Sequence, residues 1–416
     1  MIRILFISYL SYDNPVYKGG GWVNSLAYIL SESGKYEVAI AYISSNSKIT
    51  EWESDGIYYY PIYYKESLMK RVLMRLRRMP SDIVNDSAVN EIVSRFKPDI
   101  VQLFGIETFI GGIARNITEI PVVVHIQGII SAILGNWFPR GFSSFDVWWH
   151  SPFLEKLFVR TPSDLFVRSM RLSQLEKRNY QSYRYYLGRT KWDCRISRFL
   201  APNSQYFHCD ELLRPEFYIR RWKYRIGQVI LTTILNGEIY KGFDTILQTA
   251  VLLKSAGLNF VWNIYGVDES FPLKSVFEKQ MKYSFYSNNV YFKGKKEADE
   301  LADILSKSTF YVHPSHADNS PNALCEAMLI GVPCIASCVG GIPSLCVDNV
   351  SGFLVSDGDS YHVANIVLSF YREKDRLIAI STEARKLALS RHNVDNVLKQ
   401  LDGIYKDIHS LSTTNK

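Results

Sequence analysis

Twice along this chain, short apolar runs alternate with amphipathic segments, and this repeated alternation restricts the fold more than any other feature. Residues 2–8, 37–43, 100–104 and 121–126 are nearly continuous apolar runs, the pattern of strands buried on both faces of a parallel sheet. Residues 22–33 and 85–96 between them predict helices. A second alternation starts near Gln228. Residues 229–236, 259–265, 290–292, 309–313, 333–336 and 352–355 read as short strands, and 244–256, 297–306, 320–330 and 360–371 as helices. Two such runs predict an α/β chain of two doubly wound, Rossmann-like domains facing a cleft, with ligands bound beyond the carboxyl ends of the strands. The expected domains are 1–215 and 216–390, with 391–416 a C-terminal helix, expected to cross back to the first domain, and a tail. Residues 145–220 are rich in aromatic and basic side chains. They read as helices closing the first domain, with a linker near 217–225 and an aromatic stripe that serves packing.

A length of 416 residues is enough for two separate cores. The six cysteines lack Cys-x-x-Cys spacing, so they read as reduced, mostly buried thiols rather than a metal or disulfide framework. No stretch of about 20 apolar residues predicts a membrane-spanning helix. The start, Met1-Ile-Arg-Ile-Leu-Phe-Ile-Ser, reads as a first buried strand rather than a signal peptide, and the expected compartment is the cytoplasm. The net charge of +7 is uneven: residues 1–220 carry 27 basic against 21 acidic side chains, so +6 lies there. Its densest part is residues 65–80, where Leu68, Val72, Leu73 and Leu76 recur near helical spacing among Lys70, Arg71, Arg75, Arg77 and Arg78. Such a basic amphipathic helix suits the anionic inner face of a membrane. No nucleic-acid-binding module accompanies it, and nucleic acid is not an expected partner.

Chemistry concentrates in Asp318-Asn-Ser-Pro-Asn-Ala-Leu-Cys-Glu326-Ala-Met, which follows an apolar run and precedes Gly331-Val-Pro. Asp318 reads as a loop residue and Glu326 as a residue one or two turns into a helix. Free backbone N–H groups and the helix dipole at that start favour an anion. One place would then offer acceptors for hydroxyls beside donors for phosphate, the two needs of a nucleotide-sugar. The glycines Gly19-Gly20-Gly21 before the first helix would let main-chain N–H groups approach a ligand. No metal site is implied, since no His/Cys ligand cluster is legible. Asp357-Gly-Asp359 has the form of a metal-binding Asp-x-Asp but falls in an expected surface turn.

The second half resembles the retaining GT-B glycosyltransferases of the "group 1" family. The resemblance runs through Asn236-Gly-Glu-Ile-Tyr-Lys241-Gly242-Phe-Asp, Gly266, Phe292-Lys-Gly294, His313-Pro314-Ser315, Asp318 to Glu326, Gly331-Val-Pro333, Gly340-Gly341 and Gly352-Phe-Leu-Val. The first half is similar more loosely, through the glycine loop, Asp99-Ile-Val-Gln-Leu-Phe-Gly105 and Pro121-Val-Val-Val-His125-Ile-Gln127-Gly128. Gly188-Arg189-Thr190-Lys-Trp192-Asp193, with Tyr206-Phe-His-Cys209-Asp-Glu211-Leu-Leu-Arg214-Pro215-Glu-Phe217-Tyr218 behind it, resembles a subset found in bacterial polysaccharide gene sets.

The resemblance implies a GT-B enzyme that moves a sugar from a nucleoside diphosphate to a glycan or lipid-linked glycan in surface polysaccharide synthesis, with retention and without a metal. Its co-substrate is the nucleotide-sugar, and no other cofactor is implied. Glu326 would accept from the ribose hydroxyls, and Asp318 would face the transferred sugar. Ser320, Asn322 and Ala323 would offer backbone N–H groups, with Gly340, Gly341, Gly266, Gly294, Gly20 and Gly21 around the same donor. Lys295 and Lys296 would lie near the nucleobase. Lys241 would neutralise the leaving diphosphate. Where relatives often carry an arginine, this chain has Asn236-Gly237, and Arg189 is the expected substitute. Gln127 would take the place of a histidine near the sugar, with His125 one pleat deeper on the same side of the strand. Glu107 and Asp13 are further candidates for an acceptor. Two other readings stay open: a GT-B nucleotide-sugar epimerase, and a non-catalytic sugar-nucleotide-binding protein at the membrane.

Overall fold

A computed structural model describes residues 1–10, 12, 21–80 and 86–414. The chain divides into two compact units: Met1–Ser131 with Arg168–Leu212 and Arg391–Lys416, and Ala132–Val167 with Leu213–Ser390. Each has its own sheet and its own apolar core.

The first unit contains β1 (Ile2–Ser8), β2 (Tyr36–Ser44), β3 (Trp52–Ser54), β4 (Ile57–Tyr63), β5 (Ile100–Phe104), β6 (Val122–His125), β7 (Tyr185–Gly188) and β8 (Gln205–His208). Their order is β3-β4-β2-β1-β5-β6-β7-β8, parallel except for the β3/β4 hairpin. β5 is buried at every position, its one polar residue Gln102 included, as expected of a strand covered on both faces. The C-terminal helix Val394–Thr414 packs in this unit. Val397, Leu401, Ile404, Tyr405 and Ile408 recur three or four residues apart, and all are buried in the first core. Tyr405 donates its hydroxyl to Gln102 Oε1 at 2.5 Å, and Tyr36 donates to Asp402 at 2.7 Å.

The second unit contains β9 (Val229–Ile234), β10 (Phe260–Tyr265), β11 (Val290–Phe292), β12 (Phe310–His313), β13 (Cys334–Ser337) and β14 (Phe353–Val355), in the order β11-β10-β9-β12-β13-β14, all parallel. Strand order reverses between β9 and β12. The loops leaving their carboxyl ends therefore stand side by side, the position where open α/β sheets bind ligands.

Three expectations for residues 132–225 need correction. Residues 132–167 pack with the second unit, not the first. Trp137 explains why: it is buried in the second core against Phe166 and Tyr240, with its indole N–H on Pro162 O at 3.3 Å. Tyr185–Gly188 and Gln205–His208 are strands rather than helix, because two or three aromatic side chains per strand disguise a short β run. The aromatic stripe is also split. Tyr183, Tyr185, Tyr186, Phe217 and Trp222 are core, whereas Trp148 and Trp149 are exposed. All six cysteines are free, and Cys338 is exposed. No helix among the described residues is long and apolar enough to cross a membrane.

Candidate functional site

The loop after β9 and the loop after β12 meet at a glycine. Gly242 has φ of 81° and sits so close to the Pro314 carbonyl that a Cβ would lie 2.1 Å from its oxygen. Any side chain there would force the two loops apart. This approach sets Lys241, the preceding residue, beside the segment that follows His313. Lys241 Nζ lies 2.7 Å from Asp318 Oδ2, and His313 Nε2 is 3.0 Å from the same oxygen. The Tyr311 hydroxyl stands 3.2 Å from His313 Nδ1. Burial works against ionising Asp318, but the ammonium of Lys241 and then His313 outweigh it and hold the carboxyl well below the usual range. Gly340, at φ of 53°, supports this loop from the other side. A Cβ there would lie 1.9 Å from the Asp318 carbonyl oxygen, while Gly341 N–H donates to that oxygen at 3.0 Å.

The helix Asn322–Ile330 begins four residues after Asp318, with Pro321 at its N-cap and no side chain capping it. Its opening N–H groups, at Asn322 and Ala323, point out of the helix with no turn ahead to accept them. Asn322 Oδ1 is buried without a hydrogen-bond partner among the described residues. The helix is buried from Leu324 to Ile330, Glu326 included. A carboxylate in that position demands a partner. It has one: Arg214 Nε and Nη2 reach the two Glu326 oxygens at 2.7 and 2.8 Å, and the guanidinium lies over Phe217 at 4.7 Å. Burial pushes the Glu326 carboxyl up, and Arg214 opposes it.

His316 holds a second ion cluster behind this loop. Its Nδ1 is 2.6 Å from Asp357 and its Nε2 is 2.8 Å from Asp244. Burial alone would lower its pKa, but the two carboxylates raise it to about 10. Asn136, from the segment packed onto this unit, donates to the His316 carbonyl at 3.3 Å. Asp357 is thus a partner of His316, and Asp359 caps the helix Ser360–Phe370 by accepting from His362 N–H at 2.9 Å. Gly266 and Gly294 sit beyond β10 and β11, joined by a 2.9 Å bond from Gly266 N–H to Gly294 O. Lys295 is exposed, and Lys296 pairs with Glu300 at 3.0 Å.

The structure therefore gathers Lys241, Asp318, Ser320, Asn322, Ala323, Gly340 and Gly341 at the switch point of the second sheet. Sequence reasoning assigned no role to Arg214, His313 or His316. Arg214 carried a legible signal: it stands in the motif Arg214-Pro215-Glu-Phe217-Tyr218, and the only long-armed cation in that motif faces the acid of the other.

The first unit holds its own group at the carboxyl ends of β5, β6 and β7. His125 is fully buried, stacked on Phe104 at 5.5 Å, with Nδ1 3.0 Å from Gln102 Nε2. Gln102 accepts from Tyr405 through Oε1, so its Nε2 donates to His125. Burial, then the Arg189 charge, push the His125 pKa well below its ordinary value. β6 ends at His125, so the strand alternation does not extend to Gln127, whose amide instead turns back to the His125 carbonyl at 3.4 Å. Arg189 is buried and donates through Nη2 to Gln127 O at 3.4 Å. Glu107 lies in the loop after β5, its Oε2 buried with no hydrogen-bond partner among the described residues. Burial raises its pKa to about 7, and the neighbouring Glu176 carboxylate adds to the shift. Gly20 and Asp13 lie outside the described residues, and Gly21 opens the helix Gly21–Glu32.

Two Rossmann-like sheets of this topology, the second with a cation and an uncapped helix start at its switch point, have the architecture of the GT-B fold. The likeness to solved structures is of that kind. Sucrose-phosphate synthase from Thermosynechococcus elongatus superposes with a TM-score of 0.73 at 13% identity over 99% of this chain and 100% of that one. Anabaena HepE in complex with UDP-glucose gives 0.64 at 16% identity over 98% and 100%. Residues 219–387 match the family model described as glycosyl transferases group 1. Among curated relatives, the amylovoran biosynthesis glycosyltransferase AmsK of Erwinia amylovora is 27% identical over 171 residues, 39% of this chain and 40% of that protein. The chain spans less than half the length of the curated relatives it matches.

Proposed function

We propose that this protein transfers a sugar from a nucleoside diphosphate to a glycan or lipid-linked glycan acceptor during polysaccharide assembly, with retention at the anomeric carbon. The observation that carries this reading is Lys241 held against Asp318 beside the free N–H groups of Asn322 and Ala323. As the bond from sugar C1 to the phosphate oxygen breaks, its electron pair passes to the diphosphate. One ammonium and several fixed amides stabilise that growing charge, a role worth about 3–4 kcal/mol for a single well-placed donor. The acceptor hydroxyl attacks the face the diphosphate leaves, and its proton passes to the leaving phosphate oxygen. Asp318 keeps Lys241 aimed into the loop until a diphosphate competes for it. Glu326 is the candidate for the ribose hydroxyls, which it reaches by sharing or releasing Arg214. The ammonium and the helix start fill the role a Lewis acid plays elsewhere, so no resident metal is part of this reading.

A uridine nucleotide is the first donor to test, since HepE was solved with UDP-glucose. The purified protein, screened against nucleotide-sugars by thermal shift, should gain close to 3 kcal/mol of stability at about 100 times the dissociation constant of its donor. It should then release nucleoside diphosphate once an acceptor is supplied, and Lys241→Ala with Glu326→Ala should not. Full turnover by the double variant would remove the site; isomerised donor without released diphosphate would make the protein an epimerase.

The same reading places the protein on the inner face of a membrane. The helix Leu68–Leu76 buries none of its residues and is capped by Ser67, which accepts from Lys70 N–H at 3.1 Å. Leu68, Met69, Val72, Leu73 and Leu76 are exposed beside Lys70, Arg71 and Arg75. Flotation with anionic liposomes should be lost in Arg75→Ser/Arg77→Ser/Arg78→Ser; equal flotation of the two proteins would sink the idea.

A further inference from the structure

The second unit carries an exposed aromatic surface that the transfer chemistry does not use. It is built by two short helices, Ser144–His150 and Phe153–Leu157. The first packs against the helix Pro272–Met281 and buries Val147, and Phe142 just before it meets Phe277 at 5.3 Å. That anchoring turns Phe145, Trp148 and Trp149 outward, and the second helix adds Phe153, Leu154, Leu157 and Phe158. Phe145 is 65%, Trp149 60% and Phe153 75% exposed, and their adjacency rather than their exposure sets them apart. Phe145 and Trp149 stack at 6.0 Å, so the rings form one patch rather than scattered contacts. The chain leaves it through Val159 at φ of 52°, a conformation that disfavours a β-branched residue. The patch is thus held in place at some conformational cost.

Cations overlie the rings. Lys156 Nζ sits 4.9 Å from the Trp148 ring and 5.7 Å from Trp149, and Arg160 lies 5.3 Å from Phe158. Of the two acids in these helices, Asp146 is spent on the Ser143 N–H and hydroxyl, at 3.2 and 2.5 Å. Indole and phenyl rings beside lysine and arginine are the composition of the headgroup layer of a bilayer, where rings sit at the acyl boundary and cations meet phosphate. A second copy of the chain is a poorer occupant, because a symmetric contact would gather Lys156 and Arg160 of both copies in one interface, whereas headgroup phosphates would neutralise them.

We propose that Phe145, Trp148, Trp149, Phe153, Leu154, Leu157 and Phe158 insert into the headgroup region of an anionic bilayer. This attachment is separate from the basic helix Leu68–Leu76 and independent of the transfer reaction. The test uses the full chain carrying Arg75→Ser/Arg77→Ser/Arg78→Ser, so that the other helix does not contribute. The vesicles are phosphatidylethanolamine and phosphatidylglycerol with bromine-labelled acyl chains. Tryptophan emission should be quenched, and the quenching should disappear in Trp148→Phe/Trp149→Phe, which keeps the patch apolar. Phe153→Ser/Leu157→Ser should weaken vesicle binding by about tenfold or more at an unchanged melting temperature, since both side chains are exposed in the free protein. Absence of quenching, or vesicle binding by the serine variant equal to its parent, overturns the proposal. So does a dimer in sedimentation that the serine substitutions dissolve without affecting vesicle binding.

Discussion

At the carboxyl end of β12, Asp318 is kept ionised between Lys241 and His313; at the carboxyl end of β6, His125 is kept neutral by burial and the Arg189 charge. The same contrast holds one layer out. In the second unit, His316 is held as a cation by Asp244 and Asp357. In the first, Glu107 is pushed towards its neutral form, to a pKa of about 7. Both groups sit at the strand ends of parallel sheets, so backbone geometry does not separate them. At these four residues the difference is pairing: Asp318 and His316 have counter-charges within 3.0 Å, whereas His125 and Glu107 lose charge chiefly by desolvation. Fixed, paired charges suit a site that handles diphosphate. Neutral, titratable groups suit one that handles hydroxyls and protons.

The largest expected effect breaks the pairing itself. Arg214→Ala leaves the Glu326 carboxylate buried alone, and removing one partner of such a pair costs about 3–5 kcal/mol. The melting temperature of the variant should fall, and Glu326→Gln in the same background should restore part of it. A variant as stable as the wild type would show that Glu326 relaxes to water without help. Next is Lys241→Ala, expected to slow nucleoside diphosphate release by about 10²–10³-fold, the loss of one preorganised donor. Lys241→Arg separates charge from shape: it should recover activity only in part, because a planar fork replaces a point charge.

The second unit was legible down to its strands because each of its motifs carries a backbone requirement. Gly242 and Gly340 are places where two loops touch and no Cβ fits, so loop positions and site positions coincide there. Arg214 stands in a legible motif, but its partner Glu326 is 112 residues away, so the motif does not say which acid it meets. The first unit was read less well. β7 and β8 are four residues each and made largely of tyrosine, phenylalanine and histidine, so periodicity could not tell them from helix. Residues 132–167 join the second unit through Trp137 and Phe142, side chains whose destination depends on the whole fold. His125 kept its expected strand but gained a buried hydrogen-bond chain through Gln102 to Tyr405, contributed by the far end of the sequence.

A pH titration sharpens the comparison further. The folded pKa of His316 is raised to about 10 from an ordinary 6.5. Its stabilisation is therefore fully present below about pH 6.5 and is lost as pH rises through about 10. Wild-type melting temperature should decline across that window, by the equivalent of roughly 2–4 kcal/mol after allowing for relaxation of the cluster. His316→Asn should be less stable at pH 6 and nearly flat from there upward. A wild type whose stability does not change between pH 7 and 10 would show that the two carboxylates do not hold the proton.

The smallest effect, and the most discriminating, is on the first unit. Glu107 has its folded pKa raised to about 7 from 4.5, so the folded state binds its proton more tightly than the unfolded chain does. Its contribution is favourable below pH 4.5 and is lost as pH rises through about 7; above that, ionised Glu107 is a net cost. Glu107→Gln keeps the shape and removes the charge, so it should stabilise the protein at pH 8 by about 1–3 kcal/mol while leaving stability at pH 4.5 unchanged. That is the opposite sign to the loss expected when any member of a paired cluster is replaced. If Glu107→Gln destabilises at pH 8, Glu107 is paired in solution and the contrast between the two sheets fails. If it stabilises the fold but slows nucleoside diphosphate release, with the loss confined to pH above 7, the carboxylate is kept unpaired because an acceptor hydroxyl uses it.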